Sequence, residues 1–217
     1  SSKKYNELRD NIFGPLRAKA VQGTYPPAST FKMITALAAL EAGVLKPEDE
    51  IFCPGHFELS NNKFHCWKAH GAMKLEDSII ESCDVFFYSI GQKVGINKIS
   101  NMAKKFGLGI RHDLPLSAVS RGVAPTREWK KESFDRSWLL GDTVNASTGQ
   151  GYVLTSPLQL AVMAARLGTG RSIKPRLVKS MNDNNMPSGA GEILDVDPNH
   201  LAAVKKSMFG VVNKKNG

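Results

Sequence analysis

The chain has 217 residues, 41% hydrophobic and 23% charged, enough for one domain with a real core and too apolar for a disordered tail. Its formal net charge of +9 is spread in pairs such as Lys104-Lys105, Lys130-Lys131 and Lys205-Lys206, with no aromatic-interleaved basic run, so no nucleic-acid partner is expected. No apolar stretch nears the roughly 18 residues that mark a bilayer span, and the opening Ser1-Ser2-Lys3-Lys4 carries no signal peptide and reads as a cut boundary.

In chain order, residues 1–28 read as irregular, broken at Gly14-Pro15 and Pro26-Pro27. Ser29 to Glu41 predicts a helix buried on nearly all sides, closed by Gly43 at C′. Residues 44–74 are poor in apolar residues and read as loop. "LEDSIIES" and "DVFFYSIGQKVG" predict two helices with a break near Ser82 to Asp84, and "NKISNMAKKFG" predicts an amphipathic helix closed by Gly107. Residues 108–147 are poorly patterned. In "TSPLQLAVMAARLG", Ser156 is the expected N-cap and Pro157 the first helical residue. "KPRLVKSM" suits an edge strand, because proline cannot donate to a ladder. "DPNHLAAVKKSMFGVV" predicts a last helix with Leu201, Val204 and Met208 on one face. The expectation is helix-rich with little strand.

One buried helix poses a chemical question, because it carries Lys32 three residues after Ser29. Residues three apart share a helix face, so the two side chains can meet. A buried lysine loses its proton more readily, and a neutral amine beside a hydroxyl is a base beside a nucleophile. Ser29 would also lie at the positive end of the helix dipole, where backbone N–H groups can face an oxyanion. A capping serine followed by a snorkelling lysine is the alternative for a bare S-x-x-K.

Context decides between them. Ser29-Thr30-Phe31-Lys32 resembles the S-x-x-K motif of penicillin-binding proteins and serine β-lactamases, and Ser82-Cys83-Asp84 resembles their second motif, S-x-N, with Asp84 in place of the asparagine. "QGTYPPASTFK", "PTREWKK", "STGQGYVLTSPLQLA" and "KPRLVK" follow in the order of the elongation-specific class B transpeptidases, the penicillin-binding protein 2 group. The similarity runs from about Ala18 to Asn213. Ser147-Thr148-Gly149 looks like the third motif, K-[ST]-G, but lacks the lysine and matches an S-x-G-Q-G loop instead.

The resemblance implies an α/β fold of the penicillin-binding protein/serine β-lactamase type, a helical subdomain plus an antiparallel sheet flanked by helices, with the sheet incomplete in this chain. It implies that residues 1–217 are part of a transpeptidase domain, the membrane anchor, pedestal domain and K-[ST]-G strands lying elsewhere. Ser29 is then the nucleophile toward the D-Ala-D-Ala carbonyl of a peptidoglycan stem peptide, and Lys32 the base. Ser82 relays a proton to the leaving amine, and Asp84 orients Lys32. Implied partners are stem peptides, β-lactams and a membrane glycosyltransferase of the elongation machinery; no organic cofactor is implied. The implied location is the bacterial inner membrane, with the catalytic domain in the periplasm. A serine β-lactamase, a penicillin sensor of the same fold and a zinc-stapled interaction module without catalysis are the rivals.

Cys53, Cys66, His70 and Cys83 form a second constellation, C-x12-C-x3-H-x12-C. Three thiols and an imidazole match the donor set of a tetrahedral structural zinc. His65 is the alternative imidazole and His56 a weaker one. A Cys53–Cys66 disulfide and inert buried thiols remain alternatives, and the resemblance favours zinc, because some relatives carry a zinc site in this insertion.

Overall fold

Helix α3, Lys32–Glu41, is the centre of the architecture, and the computed structural model, which describes residues 2–187 and 189–217, shows why. Its residues Ile34, Ala36, Leu37, Ala38, Ala39 and Leu40 are buried, so apolar neighbours cover it on all sides. The small alanines let other helices approach closely, and α3 is flanked by α5 (Asp84–Val94), α6 (Ile96–Lys105) and α10 (Pro198–Asn213). Helix α3 ends in a Schellman closure: Gly43 takes φ +67°, its N–H reaches Leu40 O, and Val44 N–H reaches Ala39 O.

A short helix α4, Leu75–Ile80, precedes α5 and packs on α10, while α5 also packs on α8, Leu140–Ser147. Helix α9, Pro157–Thr169, starts as its sequence predicts. The Ser156 hydroxyl accepts from Gln159 N and Gln159 Oε1 accepts from Ser156 N, with Pro157 in the first turn. Among the described residues no helix is long and apolar enough to cross a membrane.

Several expectations fail, each for a local reason. Residues 1–28 contain helix α1, Ser2–Arg9, which buries no side chain and so shows no apolar period, and helix α2, Lys19–Gln22. Residues 108–147 contain α8 and also α7, Arg127–Phe134, whose start is marked by Thr126 accepting from Trp129 N. Residues 44–74 are not loop but two nested hairpins. Strand β1, Ile51–Cys53, pairs antiparallel with β4, Gly71–Met73, and between them β2, His56–Leu59, pairs with β3, Asn62–His65. These strands are three or four residues long, and Leu45, Cys53 and Met73 are the buried apolar side chains of the region, so alternation is barely visible. In "KPRLVKSM" only Ser180–Met181 (β5) pairs, with Asn184–Asn185 (β6). Leu177 and Val178 are half exposed and support no ladder. Sheets among the described residues are therefore all two-stranded and antiparallel.

Candidate active site

The α-helix does not start at Ser29. Ala28–Phe31 forms a 3-10 turn, and Lys32 is the first residue of α3. Ala28 takes φ +50°, a left-handed conformation unusual for a residue with a Cβ. The tighter turn presents Ser29 at the rim of a 370 Å³ cavity, while the Lys32 side chain is 2% exposed beneath it. Met33, Ile79, Ile80, Met208 and Val211 supply the apolar walls.

Opposite lies Ser82, in the break between α4 and α5, also with φ +52°. That conformation turns both its carbonyl and its hydroxyl toward the lysine. Lys32 Nζ donates to Ser82 O at 2.9 Å and to Ser82 Oγ at 2.9 Å, and pairs with Asp84 Oδ1 at 2.7 Å. The three acceptors match the three donors of an ammonium group. Phe87 closes the floor, with its ring centroid 5.5 Å from Nζ. A buried cation needs such a partner set, and Asp84 at the N-terminus of α5 completes it.

Ser82 Oγ donates to Ser29 Oγ at 3.0 Å. The path from Ser29 to Lys32 therefore runs through Ser82, where the helix-face argument expected direct contact. The physical reason is the partner set of Lys32, whose Nζ is taken up by Ser82 O, Ser82 Oγ and Asp84 Oδ1. All four expected residues, Ser29, Lys32, Ser82 and Asp84, thus form one chain of polar contacts across two strained turns.

The cysteine constellation abuts it. One donor atom each from Cys53, Cys66, His70 and Cys83 lies within 4.8 Å of the others. His70 Nδ1 is 3.6 Å from Cys53 Sγ and 3.5 Å from Cys66 Sγ. A tetrahedral ion with ordinary Zn–S and Zn–N lengths sets that edge at about 3.6 Å. His70 Nε2 lies 3.3 Å from Glu81 O, a contact that leaves Nδ1 free for a metal, and Trp67 packs edge-on against the ring at 5.1 Å. The donor set and the spacing fit a divalent ion. Burial is the main force pushing the Cys83 thiol well above its ordinary value, and Cys66 and Cys53 add to it against a hydrogen bond from the Phe86 backbone. A bound dication reverses that logic by deprotonating its thiol ligands. His65 and His56 are cross-strand partners in β2–β3 and stay outside the cluster.

Two links join the cluster to Ser82 and Asp84. Cys83 sits between them in sequence, and Asp84 N–H donates to Cys66 Sγ at 3.3 Å, satisfying a free N–H at the start of α5. The Glu81 carbonyl and the Trp67 ring beside His70 were not anticipated. Trp67 and Glu81 belong to different elements, and the packing of the β3–β4 connection on the C-terminal end of α4 brings them together, with Trp67 Nε1 donating to Glu81 O at 3.0 Å.

The whole chain, residues 1–217, matches the penicillin binding protein transpeptidase domain. It belongs to that family. The chain is 36% identical to peptidoglycan D,D-transpeptidase MrdA of Haemophilus influenzae over all of its own length and 35% of that protein's, and 34% identical to MrdA of Escherichia coli K12, of which it covers 36%. It thus spans about a third of the length of the curated relatives it matches. Among solved structures it superposes on Pseudomonas aeruginosa PBP2 in complex with WCK 5153 with a TM-score of 0.91 at 35% identity, over 100% of this chain and 49% of that one. Helicobacter pylori PBP2 gives 0.91 at 31% identity, over 100% and 41%. The penicillin-binding transpeptidase fold, helix-rich with small antiparallel sheets in this chain, is thereby established.

Proposed function

We propose that this chain is the nucleophile-bearing part of a peptidoglycan D,D-transpeptidase of the penicillin-binding protein 2 type. The hydrogen-bond chain Ser29–Ser82–Lys32–Asp84 carries the reading. Ser29 Oγ attacks the carbonyl between the two terminal D-alanines of a stem peptide. For this step Lys32 must first shed one proton of its ammonium and the two hydrogen bonds at Ser82 reverse, so that the Ser29 proton passes to Ser82 Oγ as the Ser82 proton passes to the neutral Lys32 amine. Asp84 holds the ammonium so produced. Reversal of the same path protonates the departing D-alanine amine, leaving an acyl ester on Ser29. An amine from a neighbouring stem then attacks the ester, forming the cross-link and freeing Ser29. A β-lactam enters as a mimic of D-Ala-D-Ala and stays on Ser29.

The Cys53, Cys66, His70, Cys83 set holds a structural zinc in this reading, supported by donor type, spacing and the need to neutralise clustered thiols. When bound, the ion supplies a rigid cross-link between the nested hairpins and the Ser82–Asp84 turn. The Helicobacter pylori PBP2 structures include a complex with MreC, and a related structure is of a peptidoglycan synthase complex that couples polymerization and crosslinking. By analogy we assign this chain to a periplasmic elongation assembly at the inner membrane, with a glycosyltransferase as partner.

Labelling with a fluorescent penicillin, followed by peptide mass spectrometry, tests the assignment on the full-length protein. The expected result is one stable label on the peptide holding Ser29, abolished by Ser29→Ala. Label on another residue overturns the assignment. Rapid release of hydrolysed penicillin in place of a stable adduct identifies a β-lactamase.

A further inference from the structure

Ser147-Thr148-Gly149 mimics a catalytic motif, yet both hydroxyls are turned inward. Ser147 Oγ donates to Val144 O at 2.7 Å and Thr148 Oγ1 to Asn145 O at 3.1 Å, so each is spent on a carbonyl of α8. What the segment offers its neighbours is backbone. Ser147 O accepts from Thr35 Oγ1 at 2.7 Å, a fully buried bond to the helix face one turn after Lys32. Gly149 O accepts from Ala28 N–H at 3.0 Å, immediately before the proposed nucleophile.

The fit around Gly149 leaves no slack. A Cβ there would lie 2.4 Å from Ala28 O, 2.9 Å from Ala28 N and 2.6 Å from Phe31 Cβ, and Gly149 itself takes φ +71°. Two of those neighbours are backbone atoms, so no rotamer change can relieve the overlap. Ala28, with φ +50°, is itself in a conformation that persists only where surroundings enforce it. The same segment also seats the helix of the second motif: a Cβ on Gly91 of α5 would lie 2.4 Å from Ser147 Cβ. One short stretch thus touches the turn bearing Ser29, the helix bearing Lys32 and the helix that begins at Asp84.

We propose that Ser147–Gly149 is a backbone template for the acylation site, with Gly149 and Thr35 as positioning residues that hold Ser29 Oγ at 3.0 Å from Ser82 Oγ. The inference rests on the acyl-enzyme reading above. It concerns alignment, so it alters the rate of the chemical step more than ligand binding.

The test uses the full-length protein and benzylpenicillin, separating the limiting acylation rate constant from non-covalent affinity, with a melting temperature for each variant. Gly149→Ala is expected to lower the rate constant about 100-fold, because a misplacement near 1 Å costs that much, while affinity changes less than about threefold. Adding Ala28→Gly relaxes the opposing turn and is expected to restore about tenfold of the loss. Thr35→Val is expected to lose about tenfold and Thr35→Ser, which keeps the hydroxyl, to recover it. If Gly149→Ala does not fold, the Thr35 pair decides. Folded variants that acylate at the wild-type rate, or equal loss in Thr35→Val and Thr35→Ser, overturn the template. Absence of any label on wild-type Ser29 instead overturns the functional reading and the template with it.

Discussion

Two regions on either side of Ser82 reach order by different physics. Helix α3 is held by apolar burial: Ile34, Ala36, Leu37 and Ala39 are fully enclosed, and the few polar groups beside them, Lys32 and Thr35, are each hydrogen-bonded. The nested hairpins 51–73 bury little, leave Phe52 and Trp67 exposed, and converge on the Cys53, Cys66, His70, Cys83 cluster. The helical region can position a charge because packing has already fixed its backbone. The hairpin region lacks that reserve, and under the proposed reading a cross-linking ion would supply what its core does not. The two meet at Ser82–Asp84, so the second motif depends on both.

The comparison breaks most sharply at Lys32. Lys32→Arg keeps the positive charge and the pairing with Asp84 but provides a guanidinium that keeps its proton near neutral pH. Penicillin acylation of Ser29 is expected to fall by about 1000-fold or more, measured by labelling kinetics, with zinc content unchanged. A normal rate places the base elsewhere.

Next in size is the metal side. Cys83→Ser or Cys53→Ser is expected to remove bound zinc by elemental analysis, lower the melting temperature and slow acylation about 10- to 100-fold, the range seen when support around a site is lost. Trp67, edge-on against His70, reports the change through its fluorescence. Absence of zinc from wild-type protein together with a Cys53–Cys66 disulfide by mass spectrometry establishes the disulfide. Zinc loss with normal acylation shows that the two regions are independent.

A pair of truncations sharpens the contrast. Leu37→Ala opens a cavity in a fully enclosed site and is expected to cost about 2–5 kcal/mol in denaturant unfolding. Phe52→Ala, on an exposed hairpin side chain, is expected to stay within about 0.5 kcal/mol. Comparable costs would mean that the hairpins carry their own core.

The smallest effect is at the tie between α4 and α10. Hydrogen bonds from Lys206 and then Lys214 hold the Glu76 carboxyl below its ordinary value of 4.5. A depressed folded value stabilises above the unfolded value and is lost as pH falls through the folded one. The stability difference between wild type and Glu76→Gln is therefore expected to be full above about pH 4.5 and to vanish at lower pH, in urea titrations across that range. A difference that persists in acid assigns the tie to packing.

Much of the site was legible from local pattern. Ser29 with Lys32, the break at Ser82–Asp84, and the cap of α9 at Ser156 follow from spacing within one or two turns, because a helix converts sequence distance directly into direction. The nested hairpins were not legible, since three-residue strands with few buried positions give no period to read. Helix α1 was missed for a related reason: with no buried side chain it has no apolar face.

The sequence by itself determined which chemical groups are available and which helices carry them: a serine and lysine on a buried helix, a serine and aspartate at a break, three cysteines and three candidate imidazoles close together. Tertiary structure decided how they connect. It selected His70 over His65 as the fourth donor of the cluster, because β2–β3 pairing keeps His65 opposite His56. It placed Ser82 between Ser29 and Lys32, because the break between α4 and α5 brings the Ser82 hydroxyl within hydrogen-bond reach of both Lys32 Nζ and Ser29 Oγ. It also turned Ser147-Thr148-Gly149 from an apparent motif into a backbone support, through contacts with residues more than a hundred positions away. Local spacing determines direction along one element; only packing between elements determines which atoms come within 3 Å of each other.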